Sequence, residues 1–222
     1  METMMHPQRL GSLLGLAMAL VPLSGCITLL PKPGKPPLVV ALRADPNITR
    51  LSVQSPFSIG IGEPTLPSIL QGNDVTVMRK DKTFAYVEGL KLSATTGVSI
   101  QNVVLETFDR AGATVAAVRA VTIARPDYEV HFDVSDFQVT EPQGRKKGVA
   151  RIEATARLID VYSGRPLASR VIVGEALATR GDVTEPARAL ELATRAFAAK
   201  AMTWSLEAIN ADQASKAASA VK

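Results

Sequence analysis

Apolar residues recur along this chain with two periods, and each change of period marks a new element. Residues 38–42 and 50–59 are short runs rich in Val, Ile and Leu, and Asp45-Pro46-Asn47 between them are turn formers, which predicts two strands. Gly60, Gly62, Pro64 and Pro67 predict an irregular loop. Residues 75–78 and 83–87 then bracket the charged turn Arg79-Lys80-Asp81-Lys82, the pattern of a hairpin. After Ser93 the period lengthens: Ile100, Val103, Val104, Phe108 and Ala111 fall three and four apart, on one face of a helix over about 95–110, and Gly112 supplies a left-handed cap.

Alternation returns at Tyr128, Val130, Phe132 and Val134, with Glu129, His131 and Asp133 on the opposite face. Phe137 and Val139 continue the apolar face one position out of phase, so a bulge is expected at Ser135-Asp136. A basic turn within 141–148 carries Arg145, Lys146 and Lys147. Ile152, Ala154, Ala156 and Leu158 form a second alternating strand, Tyr162-Ser163-Gly164-Arg165-Pro166 reverses the chain, and residues 167–177 return as a third. Three strands with short turns predict an antiparallel meander. Asp182 and Glu185 have capping-box spacing, with Pro186 in the first turn of a closing helix whose face is Leu190, Ala193, Phe197, Ala201, Trp204 and Ala208. Beyond Asn210 small polar residues predict a frayed tail. These elements give an α/β class: a mixed sheet with an antiparallel C-terminal meander and two main helices.

The N-terminal 37 residues follow other rules. The apolar run from Leu10 to Leu23, broken only by Gly, Ser and Pro22, is too short to span a bilayer stably and reads as the h-region of a secretory signal. It closes on Leu23-Ser24-Gly25-Cys26, whose small residues suit a peptidase groove and whose cysteine is the only one in the chain, so it has no disulfide partner within the molecule. This pattern resembles the lipobox of bacterial lipoproteins, in which the thiol is diacylated and the chain cut just before it. Acyl chains contribute ~0.8 kcal/mol per buried methylene, and two or three make a permanent membrane anchor. Ile27, rather than Asp, follows the cysteine, which in the sorting rule that accompanies this resemblance directs the protein to the periplasmic face of the outer membrane. Four prolines within 27–37 predict an extended tether reaching roughly 34 Å. The expected organisation is therefore a signal over 1–25, acylated Cys26 with its tether over 26–37, one domain over 38–210, and a flexible tail over 211–222.

Composition narrows the function classes. Cleavage before Cys26 would remove 25 of 222 residues and leave the net charge at +4, too mild and dispersed for nucleic acid. Gly60-Ile61-Gly62 lacks the Lys-Ser/Thr of a P-loop and the full glycine fingerprint of a dinucleotide site. Past the signal there is a single histidine, His131, on an alternating strand, and carboxylates are spread singly; no catalytic residue, metal site or cofactor is expected. Arg145, Lys146 and Lys147 are candidate contacts for a partner or for anionic head groups, or simply a solvated turn.

The order of parts, with the hairpin ending in Ala85-Tyr86-Val87-Glu88-Gly89-Leu90, the helix after it, the meander, and Trp204 in the closing helix, resembles the ABC-type transport auxiliary lipoprotein family, which includes the lipoprotein of the paraquat-inducible operon. The Arg-Trp pair that many members place before the first helix is Lys91-Leu92 here. The resemblance implies a domain similar to the N-terminal domain of TolB. It also implies a non-catalytic role beside transporters of phospholipid or sterol whose periplasmic subunit carries an MCE (mammalian cell entry) domain. Two other readings stay open at this point: a general envelope scaffold associated with peptidoglycan or secretion, and a lipid carrier with a deep apolar pocket of roughly 300 Å³ or more. Replacing Cys26 (Cys26→Ser) is expected to abolish acylation and the cut before residue 26; intact-mass spectrometry of the protein from its host checks both.

Overall fold

The structure, a computed structural model, describes residues 35–120, 125–142, 147–179 and 181–220. Leu23, Ser24, Gly25 and Cys26, most of the tether, and Arg145 and Lys146 lie outside the described residues. Within Pro36–Lys222, strands β1 (Leu38–Val40), β2 (Ser55–Ile61), β3 (Asp74–Met78) and β4 (Phe84–Leu92) precede helix α1 (Thr96–Ala111). Strands β5 (Thr114–Arg119), β6 (Tyr128–Thr140), β7 (Gly148–Asp160) and β8 (Arg165–Ala178) follow, and helix α2 (Glu185–Ala220) closes the chain.

The architecture is a mixed α/β sheet with both helices packed together on it, and β6 is its spine. Along one edge β6 pairs antiparallel with β7 from Tyr128 to Val139, and β7 pairs antiparallel with β8, which is the expected meander. Along its other edge β6 runs parallel first to β2 (Ile59–Ile61 against Tyr128–Val130) and then to β3 (Val77 and Met78 against Val139 and Thr140). Beyond these, β5 pairs parallel with β2, β4 antiparallel with β3, and β1 parallel with β4. The register shift falls between Val134 and Asp136, where the broken alternation places it, so Tyr128, Val130, Phe132, Val134, Phe137 and Val139 are all buried.

Helix α1 buries Ile100, Val103, Val104 and Phe108 and ends at Gly112, whose φ of 59° and ψ of 38° are left-handed; its N–H donates to the Asp109 carbonyl and that of Ala113 to Phe108. Buried Gln101 fastens the helix to the sheet, its Nε2 donating to the Ile61 carbonyl at 2.9 Å. Helix α2 lies across β6, β7 and β8. Phe197 meets Phe132 edge-on with ring centroids 5.4 Å apart, and Leu190, Ala193, Ala201 and Ile209 are fully buried beside it. The alanines and Gly174 let the helix sit low on the sheet: a Cβ at Gly174 would overlap the Ala193 carbonyl oxygen and lie 2.7 Å from the Phe197 amide nitrogen.

Four details depart from the pattern reading. Residues 50–54 form no strand; Leu51 N–H instead donates to the Ala111 carbonyl at 2.8 Å, so the segment skirts the end of α1 and β2 begins at Ser55 and takes in Gly60 and Ile61. Strand β5 is unforeseen, since Thr-Val-Ala-Ala-Val-Arg does not alternate and the strand exists because β2 offers a parallel edge. The start of α2 is not a reciprocal capping box: Asp182 Oδ1 accepts from the Thr184 N–H at 2.9 Å, while Glu185 turns back to accept from the Thr179 N–H at 2.9 Å and pairs with Arg188, also at 2.9 Å. Those donors, the Arg188 guanidinium first, hold the Glu185 carboxyl down to about 2. Finally, α2 continues to Ala220 where a frayed tail is expected beyond Asn210, and Asp212 in that extension is buried.

Gly174→Ala is expected to lift α2 from β8 and to destabilise the domain by about 2 kcal/mol or more, because the two nearest atoms in the way are backbone and the third is the Phe197 Cβ, which moves only with the backbone. Urea unfolding followed by circular dichroism measures it.

Candidate functional site

The extension of α2 builds the most developed surface site. Three strand ends converge there: the start of β6 brings Tyr128, the end of β7 brings Asp160, and the start of β8 brings Arg165. The last turns of α2 lower Asp212, Gln213 and Lys216 onto them. Asp212 is buried behind the lining, and Tyr128, Asp160, Arg165, Gln213 and Lys216, with Phe57, Arg125, Asp127 and the reversal 161–163, line a cleft of about 700 Å³.

Its floor is an ion-pair network. Lys216 Nζ lies 2.7 Å from Asp160 Oδ2 and 2.7 Å from Asp212 Oδ2, and Arg165 Nη2 lies 2.8 Å from Asp212 Oδ1. Both carboxylates are more than nine-tenths buried. The Tyr128 hydroxyl donates to Asp212 Oδ2 at 3.1 Å and accepts from Gln213 Nε2. The Lys216 ammonium stands 5.5 Å from the Tyr128 ring centroid, and Phe57 packs edge-on against the same ring at 5.7 Å. The Lys216 hydrogen bond lowers the Asp160 carboxyl, the Asp160 carboxylate in turn raises the Lys216 ammonium, and burial raises the Tyr128 phenol. Every carboxylate on the floor is thus matched by a cation or a hydroxyl, which suits a rigid recognition surface better than proton transfer. At the rim Tyr162 is fully exposed and Arg165 more than half exposed.

A second groove, of about 640 Å³, separates the outer edge of β8 from α2 and is lined by Val171, Ile172, Val173, Ala199 and Trp204, with Lys200 Nζ donating to the Val173 carbonyl at 2.7 Å. It runs along the surface. The interior between sheet and helices is filled by Phe108, Phe132, Phe137 and Phe197, each at most 2% exposed, which argues against a lipid carried inside the domain.

Of the residues singled out from sequence, the described ones, Lys147 and His131, are not brought to the cleft. Lys147 is exposed at the β6–β7 turn, at the opposite end of β6. His131 lies on the open face of the sheet with Nε2 3.1 Å from Glu129 Oε2, among the charged ladder that includes Asp133–Arg157 and Arg151 with Asp136, Glu153 and Glu175. Among the described residues no group of three His, Cys, Asp or Glu side chains is placed to hold a metal ion, and no helix is long and apolar enough to cross a membrane. Pattern reading missed the cleft because Tyr128 and Asp212 are 84 residues apart. The one available signal was local: Asp212 and Lys216 stand at i and i+4 in an alanine-rich stretch that favours helix over tail.

The domain has known relatives. A family model described as the ABC-type transport auxiliary lipoprotein component matches residues 41–201. A crystal structure of a DUF330 protein from Xanthomonas campestris is similar with a TM-score of 0.69 at 20% identity, over 79% of this chain and 99% of that one. A second solved structure, of an uncharacterised protein, is similar with a TM-score of 0.57 at 11% identity, over 78% of this chain and 99% of that one. These identities speak to fold alone. No curated protein matches.

Replacing Lys216 by Met leaves buried Asp212 with Arg165 as its cation and buried Asp160 with no ion pair among the described residues. The variant is expected to lose about 1–3 kcal/mol and to exchange the amides of 212–220 faster at neutral pH. Asp160 supplies the acid limb: since folding lowers its carboxyl, its contribution is complete above the unfolded value of 3.8 and is lost as pH falls through the folded value. The native extension should therefore loosen only below pH 3.8, and hydrogen exchange against pH reads both effects.

Proposed function

Because the chain belongs to the ABC-type transport auxiliary lipoprotein family, we propose that it is a non-catalytic docking lipoprotein of an ABC lipid-transport system, held by acylated Cys26 on the periplasmic face of the outer membrane and engaging the MCE-domain subunit that carries phospholipid or sterol. The observation that carries this reading is the coincidence, in one chain, of Leu23-Ser24-Gly25-Cys26 with a family match that begins at residue 41. A docking role needs an anchor, reach and a recognition face, and needs no nucleophile or metal. Fixed to the membrane beside its partner, even a weakly binding face is occupied, because the tether raises the local concentration.

The cleft beside Tyr162 is the face we assign to the transporter subunit. Exposed Tyr and Arg around a rigid, charge-matched floor are the composition of interface anchors, and truncating such an anchor costs on the order of 2 kcal/mol. The open charged face of the meander and the surface groove on β8 offer no comparable convergence of elements.

Affinity capture of the acylated chain from its own cells is expected to retrieve an MCE-domain protein. Tyr162→Ala should reduce that recovery by roughly ten-fold or more without changing the amount of folded protein. Retrieval of cell-wall or secretin components instead would establish the scaffold alternative and overturn this reading.

A further inference from the structure

The end of the sheet opposite the cleft gathers charges that the sequence scatters. Strands β3 and β6 run parallel with Met78 beside Thr140, so the β3–β4 turn and the residues that leave β6 emerge side by side. They are laced together: Glu141 N–H donates to the Met78 carbonyl at 2.8 Å, and Glu141 Oε2 accepts from the Lys80 N–H at 3.3 Å. Arg79, Lys80, Lys82 and Lys147 are all exposed here. Elsewhere Lys91, Lys216, Arg151, Arg157, Arg165 and Arg195 are tied to carboxylates, whereas among the described residues the ammonium groups of Lys80, Lys82 and Lys147 form no ion pair. Phe84 and Tyr86 flank the turn, 45% and 51% exposed, on the same face of β4.

Topology gives this end a direction. Strand β4 runs away from the turn, and β1 lies parallel to it with Leu38 opposite Leu90 and Val40 opposite Leu92. The chain therefore enters β1 from the side on which the turn lies. Leu38 sits six residues along β4 from Phe84, about 20 Å at strand rise. Eleven residues separate it from Cys26, a contour of up to about 40 Å. A chain fixed at Cys26 can thus bring the turn to the surface that holds the anchor.

We propose that Arg79, Lys80, Lys82 and Lys147, with Phe84 and Tyr86, form a membrane-contact surface for an anionic phospholipid leaflet, which orients the domain with its cleft away from the bilayer. The chemistry is that of an interfacial site: unpaired basic side chains attract acidic head groups, and aromatic rings settle at head-group depth. Each basic side chain near such a surface contributes roughly a five-fold factor, too little for binding alone and enough to orient a molecule already moored. The surface rests on the acylation of Cys26 proposed above.

The test reconstitutes the full acylated protein carrying Phe84→Trp into vesicles of brominated phosphatidylcholine, with or without phosphatidylglycerol, using the parent protein to subtract buried Trp204. The added tryptophan is expected to be quenched several-fold more in phosphatidylglycerol vesicles. Lys80→Glu with Lys82→Asn should abolish the difference while leaving flotation with the vesicles intact; Asn is chosen because Lys82 has a positive φ of 66°. Flotation with an unquenched residue 84, or quenching indifferent to the charge changes, overturns the membrane-contact surface and leaves the anchor standing. A parent that does not float overturns the anchor, and this surface with it.

Discussion

The seating of α2 on the meander is the constraint on which the rest of the domain depends. Helix and sheet approach so closely at Gly174 that no side chain fits between them, and this depth lets Phe197 reach Phe132 and lets small alanines fill the flanks. Dispersion and apolar burial fall steeply with separation, so a helix raised by a single methyl group would forfeit contacts along three strands. The same seating fixes the rotation and height of the helix several turns later, where Asp212 and Lys216 must meet Tyr128, Asp160 and Arg165. Hydrophobic contact in the middle of the helix thereby positions the polar cleft at its end.

Burial and charge are coupled at that cleft in a way that suits recognition. Two carboxylates withdrawn from water are costly unless each keeps a cation and its hydrogen bonds, and here Lys216 is shared between them while Arg165 and Tyr128 complete Asp212. Such a network rigidifies the end of the helix and leaves little free to react. Rigidity favours docking, because a preorganised face loses less side-chain freedom on binding. The opposite end of β6 is built on the reverse principle, with exposed cations that form no ion pair among the described residues, and with Glu141 bonded to the Met78 carbonyl and to the Lys80 N–H. The long central strand separates these two chemistries, which gives the domain distinct ends despite its modest overall charge.

The meander, the bulge at Ser135-Asp136, the hairpin, α1 with its Gly112 cap and the buried face of α2 were all legible because each is written in a local period that one buried face enforces. Strand β5 was not legible, since its residues carry no alternation and it forms only because β2 presents an edge to it. The end of α2 was misread for a related reason. Small polar residues look like a tail until something buries them, and what buries Asp212 is Tyr128, 84 residues away.

The sequence by itself determined the class of the domain, its hairpin, its meander and its two helices, since these depend on residue identity and near-neighbour spacing. Only the tertiary structure decided that parallel pairing along β6 sets the basic β3–β4 turn beside the end of β6, and that three strand ends and the last turns of a helix close around one cleft. Both arrangements arise from contacts between residues far apart in sequence, whose meeting is fixed by packing against a common core and leaves no period in the chain to read.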